Sequence, residues 1–197
     1  GDVSEDQAAA EIAVSLAGEG VRADHAFTGR CNLFAETAGV LVVDKDAIDA
    51  LNRIDEAVTL ATLAAFKPVV EGEMIATVKI IPFEVAGSAR DQAVAEAAKA
   101  KPVIRVAPYK IRKLGIVSTL LPGLSPKVVE KTLKITAARI APAGASIVAE
   151  RRVPHEQQAL TRAIDEVFKA GAELTIVFGA SAIADRRDVI PAAITAA

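Results

Sequence analysis

A chain of 197 residues with 52% hydrophobic side chains can bury a sizeable core, which excludes a long disordered protein. Aromatic residues make up 4% and Trp is absent, so that core is built from Ala, Val, Ile and Leu. A net charge of −2 argues against nucleic-acid binding through a global positive field, and the lone Cys31 excludes an internal disulfide or a cysteine metal cluster. A reducing, cytoplasmic setting is the simplest fit. No apolar run approaches the roughly 20 residues needed to cross a bilayer. The acidic opening GDVSEDQAAAEIA also lacks the basic start and long apolar stretch of a secretory signal. Neither a membrane nor a nucleic acid is expected as partner. The missing initiator Met, and an end at IPAAITAA where a helical pattern has only begun, read as a piece of a longer protein.

In chain order, Glu5 to Leu16 places Ala9, Ile12, Ala13 and Leu16 on one stripe of an amphipathic helix. Ser4 is its expected N-cap, with Gln7 at capping-box spacing, and Gly18 and Gly20 mark its end. GVLVVD (Gly39 to Asp44) reads as a buried strand, with Asp44 capping a short helix in DAIDALNRID. MIATVKIIPF (Met74 to Phe83) reads as a strand that Pro82 closes or places at an edge. Arg90 to Ala100 is an alanine-rich helix, ended by the pre-proline restriction at Lys101. The following KPVIRVAPYKIR, with its prolines and basic residues, reads in part as an extended connection, and sets a boundary near residue 110.

The second half alternates more cleanly. LGIVSTLL (Leu114 to Leu121) has the continuous apolarity of a strand in a parallel sheet covered on both faces. Ser125 and Pro126 start a helix that carries Val129, Leu133, Thr136 and Ile140 at helical spacing as far as Gly144. ASIVAERRV is the next strand. A helix over Glu156 to Ala170 presents Leu160, Ala163, Ile164, Val167 and Phe168 on one face and ends at Gly171. ELTIVFG is the third strand, and a last helix begins near Asp188. The order β-α-β-α-β-α predicts a mostly parallel sheet with right-handed crossovers. The expected organisation is a smaller mixed α+β domain over 1–110, then a three-layer α/β domain over 111–197.

Ligands of such sheets sit at the carboxyl ends of the strands. That rule points to the loops Ser118–Ser125 and GASAIADRRD, Gly179 to Asp188. In the second loop, small residues would let a ligand approach free main-chain amides, which suits a phosphate-like anion. Arg186 and Arg187 add positive charge there. Asp188 is open to several roles: helix N-cap, hydrogen-bond acceptor for a ligand, or metal-bridging carboxylate. Ser118 and Thr119 end their strand at the same edge, either contacting a ligand or satisfying local backbone groups. His155, in VPHEQQ, reads as a surface residue, and Cys31 as a small packing residue. His25 has no second ligand at metal spacing, and the chain has no Walker A motif and no GxGxxG.

ELTIVFGASAIADRRDVIPAAI resembles the signature of the molybdopterin-binding domain of molybdenum-cofactor biosynthesis proteins, among them molybdopterin adenylyltransferase and molybdopterin molybdotransferase. Gly179 matches the first glycine of that family's Gly-Gly-Thr-Gly-like turn, Asp188 its acid and Pro191 its proline. LGIVST, the helix from Ser125, ASIVAERRVP and the helix from Glu156 follow in the family's order, so the resemblance covers roughly residues 112 to 197. The first half, with GRCNLFAETAGVLVVDKDAIDALNRIDEAVTLATL and MIATVKIIPFEV, is similar to the region preceding this domain in bacterial molybdopterin-binding proteins, some joined to a cofactor nucleotidyltransferase.

The resemblance implies the molybdopterin-binding fold and a role in cofactor assembly or handover. It places the pterin phosphate on the amides of Gly179, Ala180, Ser181 and Ala182, with Arg186 or Arg187 contributing charge. Ser118 and Thr119 would line the opposite wall, and Asp188, the catalytic candidate, would hydrogen-bond the pterin or help to position a cation. Molybdopterin is the implied cofactor, with Mg²⁺ for metal insertion or adenylyl transfer. A nucleotidyltransferase is the implied protein partner, and a homo-oligomer the implied assembly. Several residues depart from the pattern. The turn keeps one glycine, and its spacer to Asp188 is one residue longer than usual. Leu120, Leu121 and Pro122 stand where the family carries an acid, and His155 stands where another acid is expected. The strand and glycine-proline loop that complete the family site would lie beyond Ala197. These departures bear on catalysis more than on binding. Two other readings stand beside the first: a non-catalytic scaffold of the same fold that binds a partner enzyme, and a nucleotide pyrophosphatase-like relative, as in competence-damage proteins.

Overall fold

The computed structural model describes residues 1–100, 102–179 and 182–197. The chain divides into two compact units, Gly1–Tyr109 and Lys110–Ala197. The first, expected to be the smaller, is the larger over the residues here.

In the first unit, Ser4 closes the strand β1 (Asp2–Ser4) and caps α1 (Glu5–Leu16), its hydroxyl accepting from the Gln7 amide at 3.3 Å. The buried stripe Ala8, Ala9, Ile12, Ala13 and Leu16 packs on an antiparallel sheet of order β2-β3-β7-β5. Its strands are β2 (Val21–Ala23), β3 (Arg30–Ala35), β5 (Val58–Thr62) and β7 (Met74–Ile80). A second antiparallel sheet has the order β6-β4-β9, from β4 (Gly39–Val43), β6 (Pro68–Val69) and β9 (Ile104–Pro108). Asp44 caps α2 (Lys45–Leu51) by accepting from the Ala47 amide at 3.0 Å. β8 (Glu84–Ala86) pairs with β1 and leads into α3 (Gly87–Lys99). The buried Ala89, Ala93 and Ala97 of α3 recur at i, i+4, i+8, and the helix packs closely against α1. The restriction expected at Lys101 lies outside the described residues.

The stretch expected in part as a connection is corrected. Val103, Ile104 and Val106 are fully buried, and β9 pairs with β4 from Ile104 opposite Val43 to Pro108 opposite Gly39. Its prolines misled the reading because Pro102 precedes the strand and Pro108 ends it, on a strand at the sheet's edge where a missing N–H is tolerated.

In the second unit, three parallel strands lie in the order β11-β10-β12. They are β10 (Lys113–Leu120), β11 (Ser146–Pro154) and β12 (Leu174–Phe178). α4 (Pro126–Ile140) and a 3-10 turn at Ala141–Ala143 connect β10 to β11. α5 (Gln157–Lys169) crosses from β11 to β12, and α6 (Val189–Ala196) follows. The unit is therefore α/β with a parallel sheet. The central strand β10 is buried from Leu114 to Thr119, whereas the flanking strands are half covered.

Val117 joins Leu160, Ala163, Ile164 and Val167 of α5, with Ile190 and Ala193 of α6, in one apolar cluster. Fully burying a side chain such as Leu160 or Val167 is worth on the order of 1.5–3 kcal/mol. Phe168, expected on that face, is 47% exposed because it falls in the last turn at the rim of the stripe. Gly115 seats the helix: a Cβ there would lie 2.8 Å from the Val167 Cβ and 3.0 Å from the Ala172 Cβ. Gly115→Ala is expected to overpack this contact and lower stability by about 1–3 kcal/mol, read by urea unfolding of the full chain.

Candidate functional site

The connection from β10 leaves the sheet toward β11, while α5 carries the chain across to β12 on the other side of β10. The carboxyl ends of β10 and β12 therefore flank a topological switch point, where open α/β sheets leave a crevice. A cavity of about 270 Å³ opens there. Its floor is Ser118 and Phe178, paired across the sheet, and its walls are Leu121 and Leu124 of the β10–α4 loop with Val128, Val129 and Thr132 of α4. The volume lies just below the range of drug-sized sites, enough for a single ring system.

Side chains alternate across a strand. Val117 belongs to the α5 cluster, so Ser118 points the other way, toward α4 and the crevice, and Thr119 points toward α5. Thr119 is buried, and its Oγ1 lies 2.9 Å from His155 Nδ1 and 3.5 Å from the Phe178 carbonyl oxygen. The hydroxyl proton serves Nδ1 or the carbonyl, according to the imidazole tautomer. His155 is thus not the plain surface residue expected from VPHEQQ. It is half-buried, its amide donates to the Leu120 carbonyl at 3.2 Å, and its ring ties the end of β11 to the end of β10. A His just after a strand and just before a helix was the available signal, because that position is the carboxyl edge of a parallel sheet.

The second loop is held from within. Asp188 is the N-cap of α6 by position, yet its carboxylate makes no cap hydrogen bond to that helix. Instead Oδ2 accepts from the amides of Ala184 at 2.6 Å and Asp185 at 2.9 Å. Those two amides hold the Asp188 carboxyl below the usual Asp range, with His155 contributing more weakly. Arg187 turns back on Asp185, its Nε 3.1 Å and its amide 2.8 Å from Oδ1, so its charge is partly matched within the loop. Arg186 and Ala182 are exposed, and Gly179 lies at the crevice mouth. Ala180 and Ser181 lie outside the described residues.

The chemistry of the donors separates binding from metal work. Among the described residues, no three His, Cys, Asp or Glu side chains gather at a common point. Asp188 already accepts from two amides, and the crevice walls are Leu, Val and Thr132. These residues do not form a carboxylate cage for Mg²⁺, which is bound through carboxylates, water and substrate phosphates. A wider groove of about 550 Å³ lies on the first unit between α1 and α3, beside Val14 and Val94. Its charged members pair with one another, Arg90 with Glu11 and Asp91, so it offers a ligand less than the crevice does. Cys31 is buried, its Sγ 3.2 Å from the Asp24 carbonyl, and burial pushes the thiol's pKa up. It packs; it is not poised as a nucleophile.

No protein-family model and no curated protein matches this chain. Among the described residues, no helix is long and apolar enough to cross a membrane.

Because the folded Asp188 carboxyl is depressed, its contribution to loop order is present above the unfolded Asp value and is lost as pH falls through the folded one. The amide resonances of Ala184 and Asp185 are therefore expected to titrate with a midpoint below that of an ordinary Asp. In Asp188→Asn that transition should be absent. A midpoint at the ordinary Asp value would show that the carboxylate does not hold the loop.

Proposed function

We propose that this chain binds molybdopterin in molybdenum cofactor assembly or handover, through the crevice at the carboxyl ends of β10 and β12. The observation that carries this reading is the crevice itself, at the switch point of the parallel sheet, with a buried hydroxyl on its floor and Gly179, where the loop toward Asp188 begins, in its lining. The segment ELTIVFGASAIADRRDVIPAAI, which resembles the family signature, contributes Phe178 and Gly179 to that lining. In this reading the pterin ring enters the apolar slot and the phosphate meets the loop from Gly179 to Asp188, where Arg186 supplies charge. Asp188 keeps the loop in shape, and His155 with Thr119 holds the edge of β10 against the start of α5. The role is binding and delivery: the described residues do not gather the carboxylates that metal insertion or adenylyl transfer would use.

A second reading has its own support. Leu121, Leu124, Val128 and Ile135 are each at least 40% exposed along α4 and the loop before it, an apolar face suited to a partner protein. In that case the unit is a non-catalytic scaffold for an enzyme such as a nucleotidyltransferase, or part of a homo-oligomer. Isothermal titration of the full chain with molybdopterin decides between them. Saturable one-site binding, weakened at least roughly tenfold by Asp188→Ala through loss of loop order, supports the first. Absence of binding, together with pterin-independent co-purification of a nucleotidyltransferase, supports the second.

A further inference from the structure

We infer that Ser118 is the buried anchor for a flat, uncharged heterocyclic ring, and that this anchoring needs no divalent cation. The inference rests on the reading of the crevice as a ligand site and specifies which part of the ligand it takes.

Three polar side chains of the second unit are buried among the described residues: Ser118, Thr119 and Thr136. Thr136 donates to the Thr132 carbonyl at 2.9 Å, one helical turn back. Thr119 meets His155. Ser118, at 3% exposure, differs from both, since its hydroxyl has no hydrogen bond to any described residue. A buried hydroxyl without a partner is costly, and native structures leave few of them. Nor is its oxygen sealed in the core: the sealed, unpartnered side-chain oxygens belong to Asn32 and Thr175. The Ser118 hydroxyl therefore opens into the crevice that its strand face lines.

The surroundings define what it can bind. Leu121, Leu124, Val128 and Val129 face it from one side, and Phe178 lies beside it on the sheet. Among the described residues no carboxylate, ammonium or guanidinium lines this cavity, which suits a neutral group. A volume of about 270 Å³ between an aromatic side chain and branched aliphatics suits a planar ring, stacked on one face and packed on the other. A hydroxyl can both donate and accept, which matches a ring edge bearing adjacent N–H, carbonyl or ring-nitrogen groups. Pterins and purines share that chemistry. Nothing in this contact calls for a cation: the polar side chains among the described lining residues are the neutral hydroxyls of Ser118, Thr119 and Thr132, and the latter two already have partners.

The test is a fluorescence titration of the full chain with 6-hydroxymethylpterin, and a parallel calorimetric titration with adenosine, each in EDTA and in Mg²⁺. One of the two ring probes is expected to saturate, with an affinity that Mg²⁺ leaves unchanged, and the probe that binds identifies the ring. Ser118→Ala should weaken it roughly 3- to 10-fold, the size of one hydrogen bond. Val128→Glu, at a half-exposed position on α4 where a carboxylate keeps contact with water, should abolish it by putting that charge at the mouth of the slot, with the circular-dichroism spectrum of the variant checked against wild type. Binding that requires Mg²⁺, or affinity untouched by both substitutions, would overturn the inference. Molybdopterin titrated in parallel separates the two levels. If it binds wild type and Ser118→Ala equally, the functional reading stands and the anchor fails; if neither it nor the ring probes bind, both fail.

Discussion

Gly115 lets the backbone of β10 come up against Val167, and much of the second unit depends on that contact. α5 starts at the carboxyl edge of the sheet and ends near Gly115, so its seating at one end fixes where it begins at the other. The beginning carries His155, which reaches Thr119 at the end of β10. A close approach at the foot of the strand thus sets a polar contact at its head. The same foot is tied by Glu173, whose carboxylate accepts from the amides of Arg112 at 2.7 Å and Lys113 at 3.2 Å. Those amides, together with the nearby basic side chains, hold the Glu173 carboxyl below its ordinary range. One edge of the sheet is closed by a charged side chain on main-chain donors. The opposite edge is left to form a cavity.

The division between the two faces of β10 follows from the two-residue period of a strand. Gly115, Val117 and Thr119 serve α5: a gap, an apolar contact and a hydrogen bond, in that order along the strand. Ile116 and Ser118 serve the α4 side, where the helix buries Val129 and Thr136 but leaves Val128 and Ile135 exposed. The looser packing of α4 is what makes room for the crevice. A helix as tightly seated as α5 would have closed it. Gly123, with φ of +87°, turns the chain sharply between the strand and α4 and allows that looser seat.

The alternation of the second half was legible because each element there announces itself locally. Pro126 after Ser125 opens a helix, the stripe from Leu160 to Val167 has helical spacing, and LGIVST and LTIVF are unbroken apolar runs. The caps Ser4 and Asp44 were legible for the same reason, as local hydrogen bonds written in a few residues. β9 was not, because its signal is a pairing with β4 more than sixty residues away, while its local signal is two prolines. The role of His155 was illegible for a related reason. Its meaning comes from Thr119, on a different strand, and no spacing within VPHEQQ contains that neighbour. Asp188 was legible as a residue that matters, but its local context suggested a helix cap. The structure directs its carboxylate backward onto Ala184 and Asp185, because a loop rich in small residues has few side chains of its own to hold it together.

That arrangement bears on what the site can do. A carboxylate engaged by two amides is already stabilised in its charged form, so it is a poorer general base and a weaker metal ligand than an unengaged one. The loop gains a defined shape at the expense of a reactive group. Its basic members divide the same way: Arg187 is matched by Asp185, and Arg186 has no such carboxylate two residues before it. The described residues that line the crevice are therefore neutral hydroxyls and apolar walls, and the charges of the following loop are largely matched within it. A site of that composition holds a ligand by shape and a few directed contacts. The described residues that line the crevice carry no titratable side chain, so its contacts are those of hydroxyls and hydrocarbon.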